Sequence, residues 1–222
     1  MKRFSTGIRA ARLIVATAFG YLIGSILTAD IASRAARTVR AGAVDLRAVG
    51  SGNPGAANAM ANLGKSWGTA VLVGDIAKGA VAGAGGRWVG GANGGYAAAA
   101  AAVAGHCFPL WAGFKGGKGV ATSAGTTFTV FPAYVPIDLG VVAVSWMASK
   151  HAAKATLTAS AMFVLAAYAF YRRSWGNLWG PPATAGLPLY AAATSAMIAY
   201  RFITAPSHKG NVNQGAGSND EV

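Results

Sequence analysis

Trp88-Val89-Gly90-Gly91-Ala92-Asn93-Gly94-Gly95-Tyr96-Ala97-Ala98-Ala99-Ala100-Ala101-Ala102-Val103-Ala104-Gly105-His106-Cys107-Phe108-Pro109-Leu110-Trp111-Ala112-Gly113-Phe114 is a run of 27 residues without one charge, bounded by Arg87 and Lys115. A helix needs about 20 predominantly apolar residues to cross the hydrocarbon core of a bilayer, so this window is long enough to span. It is not alone. Another 27 uncharged residues separate Arg173 from Arg201, and 17 separate Arg12 from Asp30. Only 11% of the 222 residues are charged and 54% are hydrophobic, where a soluble domain carries about a quarter charged residues. The expected fold is all-α: a polytopic integral membrane protein of about seven transmembrane helices, two of them short.

The pattern predicts helix 1 over about 10–33, a polar Gly-rich loop over 34–65, helix 2 over 66–86 and helix 3 over 92–112. Two shorter segments, 120–134 and 136–149, are separated near Pro132, Pro136 and Asp138; as a re-entrant pair they would leave five full spans. Helix 6 is expected at 155–171 and helix 7 at 183–204. Residues 1–205 then form one bundle, and 206–222 a polar cytoplasmic tail. The basic start (Lys2, Arg3, Arg9, Arg12) before an apolar run has the look of a secretory signal, but the length of the run favours a retained first helix.

The net charge of +13 would suggest nucleic acid in a soluble protein. In a membrane protein, short basic loops that face the cytoplasm and anionic lipid are the better explanation, and nucleic acid is not an expected partner. Placing the loop after helix 1 in the cytoplasm leaves eleven basic residues inside and seven outside, with the basic N-terminus on the disfavoured side. The single cysteine, Cys107, makes an intramolecular disulfide impossible.

Three clusters carry chemistry. In Gly50-Ser51-Gly52-Asn53-Pro54-Gly55-Ala56-Ala57-Asn58, glycines permit positive φ and close backbone approach. Successive amides there can form an anion-binding concavity, with Ser51, Asn53 and Asn58 as side-chain donors. In Gly105-His106 through Phe114-Lys115-Gly116-Gly117-Lys118-Gly119-Val120-Ala121-Thr122, two lysines lie among three glycines just ahead of an apolar helix. That combination suits phosphate, although the spacing is not that of a P-loop. The alternative is a basic loop that only fixes topology, but topology needs charge and not glycine. His106, taken alone, reads as a structural hydrogen-bonding residue. Asp75 and Lys78, at i and i+3, share a face of helix 2; ionisable residues there mark function or a structural ion pair.

These stretches resemble the bacterial acyl-phosphate:glycerol-3-phosphate acyltransferase family. The resemblance rests on Tyr21-Leu22-Ile23-Gly24-Ser25-Ile26, Asp45-Leu46-Arg47 leading into Gly50-Ser51-Gly52-Asn53, Asp75-Ile76-Ala77-Lys78-Gly79, and Gly105-His106 through Thr122. It implies a seven-helix bundle in the bacterial cytoplasmic (inner) membrane, with three motifs on the cytoplasmic face. It also implies acyl phosphate and glycerol 3-phosphate as substrates, membrane lipid as surroundings, and no metal, cofactor or coenzyme A thioester. Carried over by residue, it implies Ser51, Lys118, His208 and Asn211 as catalytic. Arg47, Gly52, Asn53, Gly55, Asn58, His106, Lys115, Gly116, Gly117, Gly119, Thr122 and Ser149 would bind substrate, and Asp75 and Lys78 would form the floor. Ser51, Lys118 and Asn211 are expected in one pocket on one membrane face.

The chain departs from the family pattern where it has Ala57 for a common Thr, Ala61 for a common Arg, and Val212-Asn213-Gln214 after the His208/Asn211 pair. Arg47 or Lys65 could replace the missing cation. The departures leave room for a catalytically impaired lipid-phosphate-binding paralogue. A small anionic-solute transporter is the remaining rival; against it, the polar motifs cluster in loops and no internal repeat is present.

Overall fold

The computed structural model describes residues 2–37 and 44–204, and every element in them is helical. The elements are α1 (Lys2–Gly24), α2 (Thr28–Arg37), α3 (Ala56–Leu63), α4 (Lys65–Cys107), α5 (Val120–Val130), α6 (Val135–Ser149), α7 (Ala152–Arg173) and α8 (Gly186–Thr204). Short 3-10 turns at Leu110–Ala112 and Pro132–Tyr134 join some of them.

The expected helices 2 and 3 are the two arms of α4, which doubles back at Gly90 and Gly91. Gly91 has φ 65° and ψ −153°, a conformation essentially reserved for glycine. The arms close tightly because Gly86 faces Gly94: a Cβ at Gly86 would lie 2.6 Å from the Gly94 carbonyl oxygen. The same device seats α1 on the second arm. Cβ atoms at Gly20 and Gly24 would stand 2.2 and 2.1 Å from the carbonyl oxygens of Ala98 and Ala102. Small residues that let backbones touch are the usual cement of helices in lipid, where the hydrophobic effect cannot drive association. α5 lies on the first arm in the same way, Gly125 against the Ile76 carbonyl and Gly79 against that of Thr122.

Two expectations about elements are corrected, and a third is sharpened. Helix 1 is not continuous: it breaks at Ser25–Leu27, where the Ser25 hydroxyl turns back to the Tyr21 carbonyl (2.8 Å) and the Ile26 carbonyl is freed to accept Lys78 Nζ (2.8 Å). The loop 34–65 contains α3. The two short segments form a V, the chain turning by 114° between α5 and the Pro132–Ser149 stretch, with Phe131 and Tyr134 of the bend packed against Phe163. On length and composition, Thr6–Arg37 (α1 with α2) and Ala152–Arg173 are each able to span, and the V would be a third span.

The contacts sort the helix ends into two groups. One end gathers the ends of α1, α4, α6 and α8 with the starts of α5 and α7, since Tyr21 bonds the Phe108 carbonyl and Arg201 the Gly117 carbonyl. The other gathers the Gly90–Gly91 bend and the 174–185 segment, where Arg87 donates to the Trp179 carbonyl and Tyr96 to that of Pro182. By this topology Trp67, Trp111 and Trp146 fall near the first end, and Trp88, Trp175 and Trp179 near the second. Tryptophan at both ends fits the enrichment of that residue at membrane–water interfaces.

Candidate active site

The glycine loop 113–119 lies at the first end, between the last turn of α4 and the start of α5. Gly113, Phe114 and Gly119 all take positive φ (56°, 64° and 86°), which folds the chain back over the end of α4. The Gly116 amide donates to the Cys107 carbonyl (3.2 Å) and the Gly117 amide to the His106 carbonyl (3.1 Å). From the other side, Arg201 donates to the Gly116 carbonyl and to the Gly117 carbonyl (3.0 Å), while Arg47 Nε donates to the Lys115 carbonyl (2.8 Å). Two arginines from distant segments therefore hold three consecutive carbonyls. In a trans peptide the N–H opposes the C=O, so the Lys118 amide is turned away from Arg201. The Lys118 amide and the first-turn amides of α5, which have no intrahelical partner, are the backbone donors the loop has to offer.

Beneath the loop is a buried polar cluster. Lys78 Nζ lies 2.7 Å from Asp75 Oδ1 and 2.8 Å from His106 Nδ1. His106 Nδ1 is 3.4 Å from the same carboxylate oxygen, and Thr28 donates its hydroxyl to it at 2.6 Å. Charges of both signs, closely paired, satisfy one another where water is excluded. The cluster supports the loop directly, since a Cβ on Gly117 would fall 2.2 Å from His106 Nε2.

Lys118 is half-buried, its Nζ 4.3 Å from the centroid of the Phe202 ring. Burial holds its ammonium below the ordinary lysine range, and the nearby Arg201 guanidinium pushes it the same way. A dianion at this point would offset both effects through its opposite charge.

The family model for glycerol-3-phosphate acyltransferase matches residues 14–214. The chain belongs to the glycerol-3-phosphate acyltransferase family. It is 40% identical over 164 residues to the glycerol-3-phosphate acyltransferase of Maricaulis maris, covering 74% of this chain and 71% of that one. It is 37% identical to the Sinorhizobium fredii acyltransferase, covering 76% and 80%. Among solved structures it is similar to PlsY (YgiH), an integral membrane glycerol 3-phosphate acyltransferase. Against the glycerol 3-phosphate form the TM-score is 0.71 at 29% identity, covering 88% of this chain and 94% of that one. Against the lysophosphatidic acid form the TM-score is 0.69 at 27% identity. This chain is accordingly an integral membrane bundle of that acyltransferase family.

Set on this acyltransferase fold, the sequence-derived residues divide. Lys115, Gly116, Gly117, Lys118, Gly119 and Thr122 sit in or just after the loop, His106, Asp75 and Lys78 sit beneath it, and Arg47 reaches it from the first motif. Thr122 Oγ1 is fully buried and has no hydrogen-bond partner among the described residues. Four assignments change in character. The Gly116 and Gly117 amides are spent on carbonyls, so they shape the loop and do not face a ligand. Asn58 is buried and builds the first-motif turn: it accepts from the Ser51 amide (3.1 Å) and donates to the carbonyls of Leu46 (2.7 Å) and Val49 (3.1 Å). Arg47 is paired with Asp30 through both terminal nitrogens (2.7 and 3.2 Å).

Ser51 is exposed, and Gly52, Asn53 and Gly55 complete its turn, with the Gly55 amide on the Asn53 carbonyl (2.8 Å). Ser149 is at the same end of the bundle but donates to Ser145 in its own helix (2.7 Å). His208 and Asn211 lie outside the described residues. Ala57 and Ala61 are exposed, one turn apart on α3. Sequence reasoning missed Arg201, counted only as a topology charge, and Asp30, the partner of Arg47. The signal for Arg201 was its position, a lone cation closing a 27-residue uncharged window.

Proposed function

We propose that this chain transfers an acyl group from acyl phosphate to the sn-1 hydroxyl of glycerol 3-phosphate, giving lysophosphatidic acid and phosphate in phospholipid biosynthesis. The site would lie on the cytoplasmic face of the inner membrane. The observation that carries the reading is the loop 113–119: a glycine turn pinned by Arg47 and Arg201 over a buried Asp75–Lys78–His106 cluster, presenting Lys118 at a helix start. It stands in a chain whose structural relatives include a glycerol 3-phosphate form.

The residues fit the chemistry. Both substrates carry phosphate, and their approach requires cations. Lys118 and the α5 first-turn amides supply charge and donors for one phosphate. The hydroxyl oxygen attacks the acyl carbonyl carbon, the carbonyl carbon–oxygen bond to phosphorus breaks, and the hydroxyl proton leaves with phosphate. The donor is already activated, so alignment and charge neutralisation suffice. Ser51, Asn53 and the tail residues His208 and Asn211 would close the pocket, with residues 206–222 acting as a polar cytoplasmic tail to the 1–205 bundle.

The test uses purified protein in lipid nanodiscs with labelled glycerol 3-phosphate. Lysophosphatidic acid should form with acyl phosphate and not with an acyl coenzyme A thioester. Product from the thioester alone would reject the donor assignment. Absence of product from either, restored by Ala61→Arg, would identify an impaired paralogue.

A further inference from the structure

The end of the bundle opposite the loop carries two adjoining cavities that acyl transfer does not use. One, of about 560 Å³, opens between the start of α1 and the Gly90–Gly91 bend and is lined by Arg9, Arg12 and Asn93. The other, of about 540 Å³, runs deeper between α1, the second arm of α4 and α8, against Tyr96, Ala97 and Ala100. Leu13, Asn93 and Thr184 line both, so the two are continuous: a basic mouth leading into an apolar groove.

The mouth is complementary to an anion. Arg9 and Arg12 stand at i and i+3 on one face of α1. Both are exposed, and neither makes an ion pair or hydrogen bond to any described residue. Thr184 donates its hydroxyl to Asn93 Oδ1 at 2.7 Å, which leaves Asn93 presenting its amide hydrogens. No carboxylate lines either cavity. The depth is also right for a lipid. Trp88 and Trp179 mark this end as a membrane interface, so the arginines lie at head-group level and Ala97 and Ala100 lie toward the hydrocarbon.

We propose that this groove seats one anionic phospholipid of the leaflet opposite the reaction site. Its phosphate is held by Arg9, Arg12 and the Asn93 amide, and an acyl chain lies along Tyr96, Ala97 and Ala100. The seat also explains why basic residues occupy the end where loop-charge rules expect few: they meet lipid phosphate there.

The test is retention of phosphatidylglycerol by the full-length protein in nanodiscs of phosphatidylcholine and phosphatidylglycerol, read by native mass spectrometry and by the melting midpoint. The wild type should carry one phosphatidylglycerol through delipidation, and its midpoint should rise with phosphatidylglycerol content. R9Q/R12Q should weaken retention about tenfold or more, from the loss of charge-assisted contacts. Ala97→Trp, or Ala193→Trp should the first not fold, fills the apolar half and touches no charge; it should abolish retention as well. Acyl transfer in detergent should be unchanged in R9Q/R12Q, so this result is independent of the proposed reaction. Undiminished retention in R9Q/R12Q would overturn the proposal. So would retention that survives the tryptophan variant, an equal rise in midpoint with inorganic phosphate, or a midpoint that follows dimer formation.

Discussion

Gly117→Ala adds one methyl group at the point where the loop rests on the buried cluster. The new Cβ would lie 2.2 Å from His106 Nε2, 3.0 Å from Cε1 and 3.2 Å from Cδ2, where ordinary contact begins at 3.4 Å. Something must move by more than 1 Å. The ring has little freedom, because its Nδ1 sits 2.8 Å from Lys78 Nζ and 3.4 Å from Asp75 Oδ1. Overpacking costs about 1–3 kcal/mol, and an unmade buried hydrogen bond to a charged group about as much again. A displacement of the loop worth roughly 2–4 kcal/mol would lower kcat/KM by about thirtyfold or more, with a fall in melting midpoint. Gly140→Ala, which meets nothing within 4 Å, is the control. His106→Ser makes room, so in that background Gly117→Ala should cost much less, a non-additive pair. Initial rates of lysophosphatidic acid formation and a thermal melt of the four variants decide the matter. Wild-type kcat/KM and midpoint in Gly117→Ala would refute the claim that His106 supports the loop.

Lys118→Ala should lower the rate about ten- to hundredfold through a lost charge-assisted contact, whereas Lys115→Ala, whose side chain is exposed, should leave kcat/KM within about threefold; initial rates separate them. Because burial and Arg201 hold the Lys118 ammonium below the usual lysine range, its cation is lost as pH rises at a lower pH than for free lysine. Glycerol 3-phosphate binding should therefore weaken on an early alkaline limb, and Lys118→Arg should extend that limb upward in a KM-against-pH profile. Arg201→Lys keeps the charge but loses the fork that spans the Gly116 and Gly117 carbonyls, so kcat should fall about tenfold with the fold intact by melting. Ala61→Arg, on the exposed face of α3, should lower KM for glycerol 3-phosphate, and no change in KM would show that residue 61 faces away from substrate.

The uncharged windows made the membrane bundle legible, because charge is excluded from hydrocarbon whatever the tertiary detail. The break in helix 1 was not legible. It depends on the Ile26 carbonyl being taken up by Lys78, a contact 52 residues away in sequence. The glycines and lysines of the loop at 113–119 made it a candidate phosphate site in the sequence, yet which of its amides are left free was not legible. That is set by which carbonyls Arg47 and Arg201 take, and both arginines arrive from other segments. Arg47 was offered as a replacement cation, but the structure commits its fork to Asp30, at side-chain exposures of 22% and 28%. A carboxylate 17 residues upstream, on a separate helix, gives no local signal. The same holds for Asn58, whose amide reads as a free donor in sequence and is used entirely inside its own turn.

Transfer of the acyl group, as against attack at phosphorus, is tested most sharply by following one oxygen atom. Acyl phosphate carrying heavy oxygen in the bridge between carbonyl carbon and phosphorus is incubated with glycerol 3-phosphate and the purified protein, and both products are weighed by mass spectrometry. The mechanism predicts lysophosphatidic acid without label and inorganic phosphate with all of it, in equal amounts. Label retained in free fatty acid, or no lysophosphatidic acid at all, would contradict the account.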